Sequence, residues 1–143
     1  RRSSSAASDV YKRQKLNRTL GHTFMADIVY IRELEIETII GIFDWEREVK
    51  QIVSLDLDMA HDISKAGQTD DIQYALNYKS ISKRLIGFIE KSEFFLIEAL
   101  AESVINIVMS EFSVPWVKLR ISKPGALRGS KDVGVIIERG IKD

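Results

Sequence analysis

The sequence predicts an α+β domain in which a four-stranded antiparallel sheet carries two helices on one face. Three observations lead to this prediction. Four short segments alternate apolar and polar side chains, which is typical of strands that bury one face. Two longer segments place apolar side chains three or four positions apart, as helices do. The strand-type segments form one pair before the helical segments and one pair after them.

The first two strands are predicted over Asp27–Ile40 and Val49–Ala60. In the first strand, Leu34, Ile36, Thr38 and Ile40 share one face, and the glutamates between them lie on the other. In the second strand, the inward residues are Val49, Val53, Leu55, Leu57 and Met59. A short turn that begins at Gly41 separates the strands, so they are expected to pair as an antiparallel hairpin.

A long polar connection over residues 61–77 leads into the two helices. Long loops in compact domains are often functional. Asn77 is suited to cap the first helix, which is predicted over Tyr78–Lys91. The second helix is predicted over Leu96–Glu111, and Pro115 prevents its continuation. Both helices present an apolar face that requires the sheet to cover it.

The third strand is predicted over Trp116–Ser122, where Val117, Leu119 and Ile121 alternate with polar residues. A turn follows in which Pro124 fixes the backbone. The fourth strand is predicted over Val133–Glu138. These two strands complete the four-stranded sheet.

The composition is that of an ordinary globular chain, with 143 residues of which 45% are hydrophobic and 29% charged. A chain of this length forms one domain. Because the sequence has no cysteine, disulfides, thiolate metal sites and cysteine nucleophiles are excluded. Two histidines are too few for a three-histidine metal site within one chain. No apolar run approaches the roughly 20 residues that a membrane helix needs.

Charge divides the chain near residue 25. Residues 1–24 have a net charge of +5 and residues 25–143 a net charge of −5. The first segment lacks hydrophobic periodicity and the apolar centre of a secretory signal, so we expect a non-native or disordered extension and a cytoplasmic protein. A mitochondrial targeting peptide and a basic nucleic-acid arm are less favoured alternatives. Residues 25–143 are expected to form the domain, whose negative charge disfavours binding to nucleic acid or an anionic membrane.

Four polar residues lie at the ends of predicted elements, where functional side chains are often placed: Glu46, Tyr78, Glu98 and Lys123. Each has an ordinary explanation when taken alone. A turn glutamate is usually solvated, a tyrosine can pack its ring on the sheet, and a glutamate suits a helix N-terminus. The sequence shows neither a suggestive serine–histidine–aspartate order nor a phosphate loop between a strand and a helix. These residues alone therefore select no reaction.

Taken together, longer segments of the chain resemble bacterial dihydroneopterin aldolases. The segments are G-I-F-D-W-E-R-E-V-K-Q (Gly41–Gln51), T-D-D…A-L-N-Y (Thr69–Tyr78), F-L-I-E-A-L-A (Phe95–Ala101), and S-K-P-G-A-L (Ser122–Leu127) with V-G-V-I-I-E-R (Val133–Arg139). Their order and spacing match the family over essentially all of Met25–Asp143. The resemblance implies the β-β-α-α-β-β tunnelling fold. It also implies a homo-octamer of two stacked tetramers with sites at the subunit interfaces.

The resemblance implies a reaction of folate biosynthesis. Family members cleave 7,8-dihydroneopterin by a retro-aldol reaction to 6-hydroxymethyl-7,8-dihydropterin and glycolaldehyde, and they also epimerise the substrate. The dihydropterin ring accepts the electrons that the broken carbon–carbon bond releases. The resemblance therefore implies no cofactor and no metal.

The resemblance also implies residues that bind the pterin ring. Glu98 corresponds to the family carboxylate that accepts hydrogen bonds from the exocyclic amine and a ring N–H, a bidentate arrangement of the strong kind. Backbone groups around Leu76 and Ile97 would complete the recognition of the ring edge. Tyr78 would stack on the ring across a subunit boundary.

The catalytic residues implied by the resemblance are Lys123, Tyr78 and Glu46. Lys123 corresponds to the general acid/base, acting either as a neutral amine or as an ammonium that polarises the ring nitrogen. Glu46 would bind and orient Lys123 and the substrate hydroxyls through water. Tyr78 would assist proton delivery to the intermediate and epimerisation.

Two alternatives remain open on sequence. The first is a dihydroneopterin triphosphate 2'-epimerase, although the segment Lys123–Ala126 favours the aldolase. The second is a non-catalytic pterin-binding scaffold, which the presence of all four polar residues disfavours.

Overall fold

The computed structural model describes residues 26–142, and the extension predicted over residues 1–24 lies outside them. Within the described residues, the chain forms a four-stranded antiparallel sheet with the strands in sequence order. The strands are β1 (Ile28–Thr38), β2 (Gln51–Ala60), β3 (Trp116–Pro124) and β4 (Asp132–Gly140). The helices are α1 (Asp44–Glu48), α2 (Ser64–Thr69), α3 (Tyr78–Lys91) and α4 (Ile97–Glu111), with a 3-10 turn at Ile72–Tyr74. The predicted fold class is confirmed.

The core lies between one face of the sheet and the two long helices. Of the residues predicted to face inward on β2, all but Val49 are fully buried. They meet the apolar faces of α3 and α4, whose buried residues include Ile81, Leu85, Leu100 and Val104. On the opposite face of the sheet, Arg32 pairs with Asp58 at 2.7 Å. The alternation read from the sequence therefore separates a packed face from a charged one.

The prediction for Val49 was wrong. This residue precedes β2 and is 53% exposed, because it forms the C-terminal cap of α1 rather than part of the strand. Leu34 is only partly buried, since the pairing of β1 with β2 shifts register between Ile31 and Leu34. The short helices α1 and α2 were not predicted, because segments of five and six residues are too short to show a helical period.

Antiparallel pairing defines two ends of the sheet. Thr38, Gln51, Pro124 and Asp132 lie at one end, called here the Lys123 end. Ile28, Ala60, Trp116 and Gly140 lie at the other, called the Trp116 end. These two ends carry different residues of the candidate site.

The long helices run in opposite directions across the sheet. Helix α3 ends near the Lys123 end, where the Thr38 hydroxyl donates a hydrogen bond to the Ile89 carbonyl at 2.6 Å. Helix α4 begins at the same end, where the Gly41 N–H donates to the Phe94 carbonyl at 3.3 Å. Because α3 has 14 residues, it extends about 20 Å. Its first residue, Tyr78, therefore lies towards the Trp116 end.

We expect Gly134→Ala to destabilise the sheet. Gly134 pairs with Ser122 of β3, and a Cβ atom there would lie 1.8 Å from the Ile121 carbonyl oxygen. The strands would have to separate, at an expected cost of about 2 kcal/mol in the free energy of unfolding. Urea denaturation measures this loss. Gly67→Ala is the control because its Cβ would meet no atom within 4 Å; equal stability of the two variants would contradict the prediction.

Candidate active site

A carboxylate and an ammonium group meet at the Lys123 end of the sheet. The Nζ atom of Lys123 lies 2.9 Å from Oε2 of Glu46, although the two residues are 77 positions apart. Only 15% of the Lys123 side chain and 7% of the Glu46 side chain are exposed. Charges with so little contact with water are stable only when they are paired and hydrogen-bonded.

Local structure places the Glu46 carboxylate. Glu46 is the third residue of α1, and its Oε1 accepts a hydrogen bond from the Phe43 N–H, 3.1 Å away, at the start of that helix. A glutamate at this position commonly reaches back to the capping residue. Gln51 at the start of β2 donates to Oε2 at 3.0 Å and to the Ile40 carbonyl at 2.7 Å. Both carboxylate oxygens therefore accept hydrogen bonds from defined positions in the fold.

The same contacts determine the ionisation of Glu46. Burial by itself would raise the pKa of this carboxyl group. Hydrogen bonds from Lys123, Gln51 and the Phe43 N–H outweigh burial and, with the charge of Lys123, lower the pKa to about 2. Glu46 is consequently an anion at neutral pH, and it faces Lys123 as an ion pair.

The lowered pKa predicts a specific loss of stability in acid. Because the pKa of Glu46 is lower in the folded than in the unfolded chain, its ionisation stabilises the fold above pH 4.5. This contribution should decline as the pH falls from 4.5 to about 2. Urea denaturation across this range should show a steeper decline for the unaltered chain than for Glu46→Gln. The exposed Glu48→Gln variant is the control, and parallel curves for Glu46→Gln and the unaltered chain would contradict the prediction.

Gly41 makes room for the carboxylate. Its φ angle is +126°, in the region that favours glycine. A Cβ atom at Gly41 would lie 2.1 Å from Cδ of Glu46 and almost as close to both carboxylate oxygens. The backbone at this turn therefore forms one wall of the ion-pair site.

Two further predicted residues lie at the same end of the fold. Ile97 and Glu98 are the first two residues of α4, which begins three residues after Phe94. Ile97 packs against the core, and the Glu98 side chain is exposed. The N-terminal position suits a carboxylate, because the helix dipole is positive there.

The other two predicted residues lie away from the ion pair. Leu76 is 8% exposed and belongs to the core, and its carbonyl accepts a hydrogen bond from the Tyr78 N–H at 2.9 Å. Tyr78 begins α3 and is 61% exposed. A single chain therefore brings Glu46 and Lys123 together but leaves Tyr78 about one helix length away.

Sequence reasoning did not single out Gln51 or Arg47, although both lie within a segment quoted for the resemblance. Gln51 is recognisable only from its hydrogen bonds to Glu46 and Ile40. Arg47 follows Glu46 in α1 and donates hydrogen bonds to three backbone carbonyls. Neither position belongs to a hydrophobic period, so no sequence signal identified it.

Between residues 26 and 142, no group of three or more aspartate, glutamate and histidine residues is arranged to hold a metal ion. None of the helices there has the length and apolar character needed to span a membrane.

Comparison with known proteins identifies a family. The profile of the family described as "FolB: Dihydroneopterin aldolase" matches residues 29–138. The dihydroneopterin aldolase of Escherichia coli K12 is 41% identical over 114 residues, which cover 80% of this chain and 93% of that protein. The dihydroneopterin triphosphate 2'-epimerase of Pseudomonas aeruginosa is 30% identical, over 76% of this chain and 89% of that protein.

Solved structures agree with the sequence comparison. A Vibrio cholerae FolB crystal structure is 46% identical with a TM-score of 0.81, covering 82% of this chain and 100% of that one. The E. coli dihydroneopterin aldolase in complex with neopterin is 41% identical with a TM-score of 0.78. It covers 80% of this chain and 99% of that one.

Proposed function

The chain belongs to the dihydroneopterin aldolase family, and we propose that its Glu46–Lys123 ion pair carries the chemistry of that family's reaction. Its activity is that of a lyase of folate biosynthesis: 7,8-dihydroneopterin is cleaved to 6-hydroxymethyl-7,8-dihydropterin and glycolaldehyde. Epimerisation is a secondary activity, in keeping with the related epimerases. The fold is the tunnelling fold predicted from the sequence.

The reaction needs two proton transfers. A proton leaves the 2′ hydroxyl of the substrate. The bond between the carbon that bears this hydroxyl and the side-chain carbon attached to the ring then breaks. The electron pair of that bond moves into the C=N group of the dihydropterin ring and forms an enolamine. A proton added to the remaining side-chain carbon then gives the hydroxymethyl product.

Lys123 is proposed as the acid/base of these steps. Its contact with an ionised Glu46 supports the ammonium form in the resting enzyme. An ammonium group at this position can hydrogen-bond the ring nitrogen where negative charge develops, and it acts strongly because little water reaches it. Of the two forms of Lys123 considered from the sequence, the ion pair therefore favours the ammonium at rest. We propose that the ammonium gives a proton to the ring nitrogen as the carbon–carbon bond breaks, and that the amine so formed takes the proton of the 2′ hydroxyl through water. Lys123 then delivers this proton to the remaining side-chain carbon and recovers its own from the ring nitrogen.

Glu46 is proposed as the partner that orients Lys123 and, through water, the substrate hydroxyls. Its two oxygens are held by the Phe43 N–H and by Gln51, so its position is fixed before substrate binds. A carboxylate that is already in place stabilises the transition state more than one that must be oriented during the reaction.

The pterin ring is proposed to bind between two copies of the chain. Glu98 and the backbone at Ile97 lie at the Lys123 end, and Glu98 would accept the two donors of the ring edge. Leu76 and Tyr78 lie towards the Trp116 end, so a second copy would supply the tyrosine that stacks on the ring. This separation supports the expected homo-oligomer, and the octamer of two stacked tetramers is part of the proposal.

Other expectations stay predictions. Residues 25–143 are proposed as the working domain, in the cytoplasm, and the reaction is proposed to need neither a metal nor a cofactor. The scheme above gives the chemical reason, since the substrate's own ring accepts the electrons.

Product analysis tests the proposed function. The full chain is incubated anaerobically with 7,8-dihydroneopterin and EDTA, and the products are separated by chromatography. Hydroxymethyl-dihydropterin together with glycolaldehyde is the expected result. The epimer alone would assign the chain to the epimerases instead. Pterin binding without any product would indicate a binding scaffold and contradict the proposal.

A further inference from the structure

Arg47 joins two separate segments of the backbone at the Lys123 end. Its NH1 donates hydrogen bonds to the Gly41 carbonyl at 2.8 Å and to the Phe94 carbonyl at 3.0 Å. Its NH2 donates to the Glu93 carbonyl at 2.7 Å. The guanidinium carbon lies 4.1 Å from the centroid of the Phe95 ring, within the range of a cation–π contact.

The two segments carry different parts of the proposed site. The connection between β1 and β2 holds Glu46, which precedes Arg47 in the chain. The connection between α3 and α4 leads directly into Ile97 and Glu98. If these connections shifted relative to each other, the distance between the Glu46 and Glu98 carboxylates would change. Glu46 is proposed to orient the substrate hydroxyls, and Glu98 is proposed to bind the ring.

We infer that Arg47 is a positioning residue that fixes the Glu46 carboxylate relative to the ring-binding end of α4. The inference rests on the proposed function. Arg47 acts through the backbone, because its guanidinium is engaged with three carbonyls and an aromatic ring. Only arginine combines a planar group with donors in several fixed directions, so a lysine would reproduce the charge but not the set of contacts.

The inference predicts that Arg47 affects the substrate side chain more than the ring. When Arg47 is lost, the ring should still bind at Glu98, whereas the trihydroxypropyl chain should no longer meet Glu46 and Lys123 at the correct distance. Small displacements of this kind strongly reduce turnover. We expect about a tenfold fall in kcat for Arg47→Met and a smaller fall for Arg47→Lys.

Two ligands separate this role from a general structural one. Neopterin carries the trihydroxypropyl chain, and pterin lacks it, so the dissociation constant of pterin divided by that of neopterin measures what the chain contributes. Arg47→Met should reduce this ratio about fivefold or more while the affinity for pterin stays unchanged. Arg84→Met is the matched control, because Arg84 forms a bidentate pair with Glu111 and lies near the Phe88 ring but contacts neither site segment.

Thermal unfolding shows whether each variant is folded. If Arg47→Met does not fold, the same measurements are made on Arg47→Lys. An equal loss of affinity for both ligands would reduce Arg47 to a structural residue and overturn the inference. Unchanged kcat and an unchanged affinity ratio would overturn it as well. If the unaltered chain neither binds pterins nor turns over dihydroneopterin, the proposed function fails and the inference falls with it.

Discussion

Replacing Lys123 with alanine is expected to lower turnover about a thousandfold while pterin binding persists. The ring would still be held by Glu98 and the backbone at Ile97, but the acid/base would be missing, and Tyr78 is expected only to assist proton delivery. Turnover is measured by product formation, and binding of the ring is measured by titration with pterin, which lacks the trihydroxypropyl chain. A large loss of kcat with a nearly constant dissociation constant is the expected pattern.

Two controls accompany this experiment. Lys118→Ala removes an exposed lysine from the same strand and should leave kcat unchanged. Lys123→Gln keeps a hydrogen-bond donor near Glu46, because the alanine variant leaves a buried carboxylate without its partner. If either Lys123 variant retains near-normal turnover, Lys123 is not the acid/base.

Replacing Gly41 with alanine is expected to displace the Glu46 carboxylate and thereby to reduce turnover. The new Cβ would overlap the Glu46 carboxylate, and a φ of +126° is unfavourable for alanine. The carboxylate would have to leave its place beside Lys123. We expect turnover to fall about a hundredfold and the free energy of unfolding to fall by about 3 kcal/mol.

Gly87→Ala is the control for this substitution. Gly87 lies within α3, where a Cβ would meet no atom within 4 Å. Alanine is a better helix former than glycine, so Gly87→Ala should stabilise the chain by about 0.5–1 kcal/mol and leave turnover unchanged. A Gly41→Ala enzyme with normal kcat and stability would show that the close packing of Glu46 on Gly41 is dispensable.

The long elements could be predicted because their burial is periodic. Helix α3 has the predicted bounds, Tyr78–Lys91, since Asn77 caps it and its apolar residues recur along one face. Helix α4 begins one residue later than predicted, because Leu96 is its cap. In β2, every second residue from Val53 to Met59 was predicted to face inward, and each of these residues is fully buried.

The short elements could not be predicted, because tertiary contacts rather than local periodicity maintain them. Helix α1 has five residues, and Arg47 and Glu46 tie it to distant parts of the chain. An isolated helix of that length would not form in water. The misplacement of Val49 follows from the same cause, since this residue, which alternation assigned to the strand, is the C-terminal cap of the helix.

The candidate site depended on the resemblance more than on any pattern of residues. No period or spacing relates Glu46 to Lys123 across 77 positions, and their contact appears only when β3 is placed beside β2. The hydrogen bonds of Gln51 and Arg47 were visible only in three dimensions. The roles assigned to Glu46, Tyr78, Glu98 and Lys123 stay predictions that the experiments above address.

Complementation between inactive variants tests most directly whether each active site combines the Lys123 end of one chain with the Trp116 end of another. Lys123→Ala and Tyr78→Ala are each expected to be nearly inactive. When the two chains are co-expressed and assemble at random, about a quarter of the sites should receive an intact Lys123 from one copy and an intact Tyr78 from another. Pairing Lys123→Ala with Glu46→Ala is the control and should restore nothing, because both residues come from the same copy. Recovery of about a quarter of normal turnover in the first mixture alone is the predicted result; no recovery there would contradict a site shared between two chains.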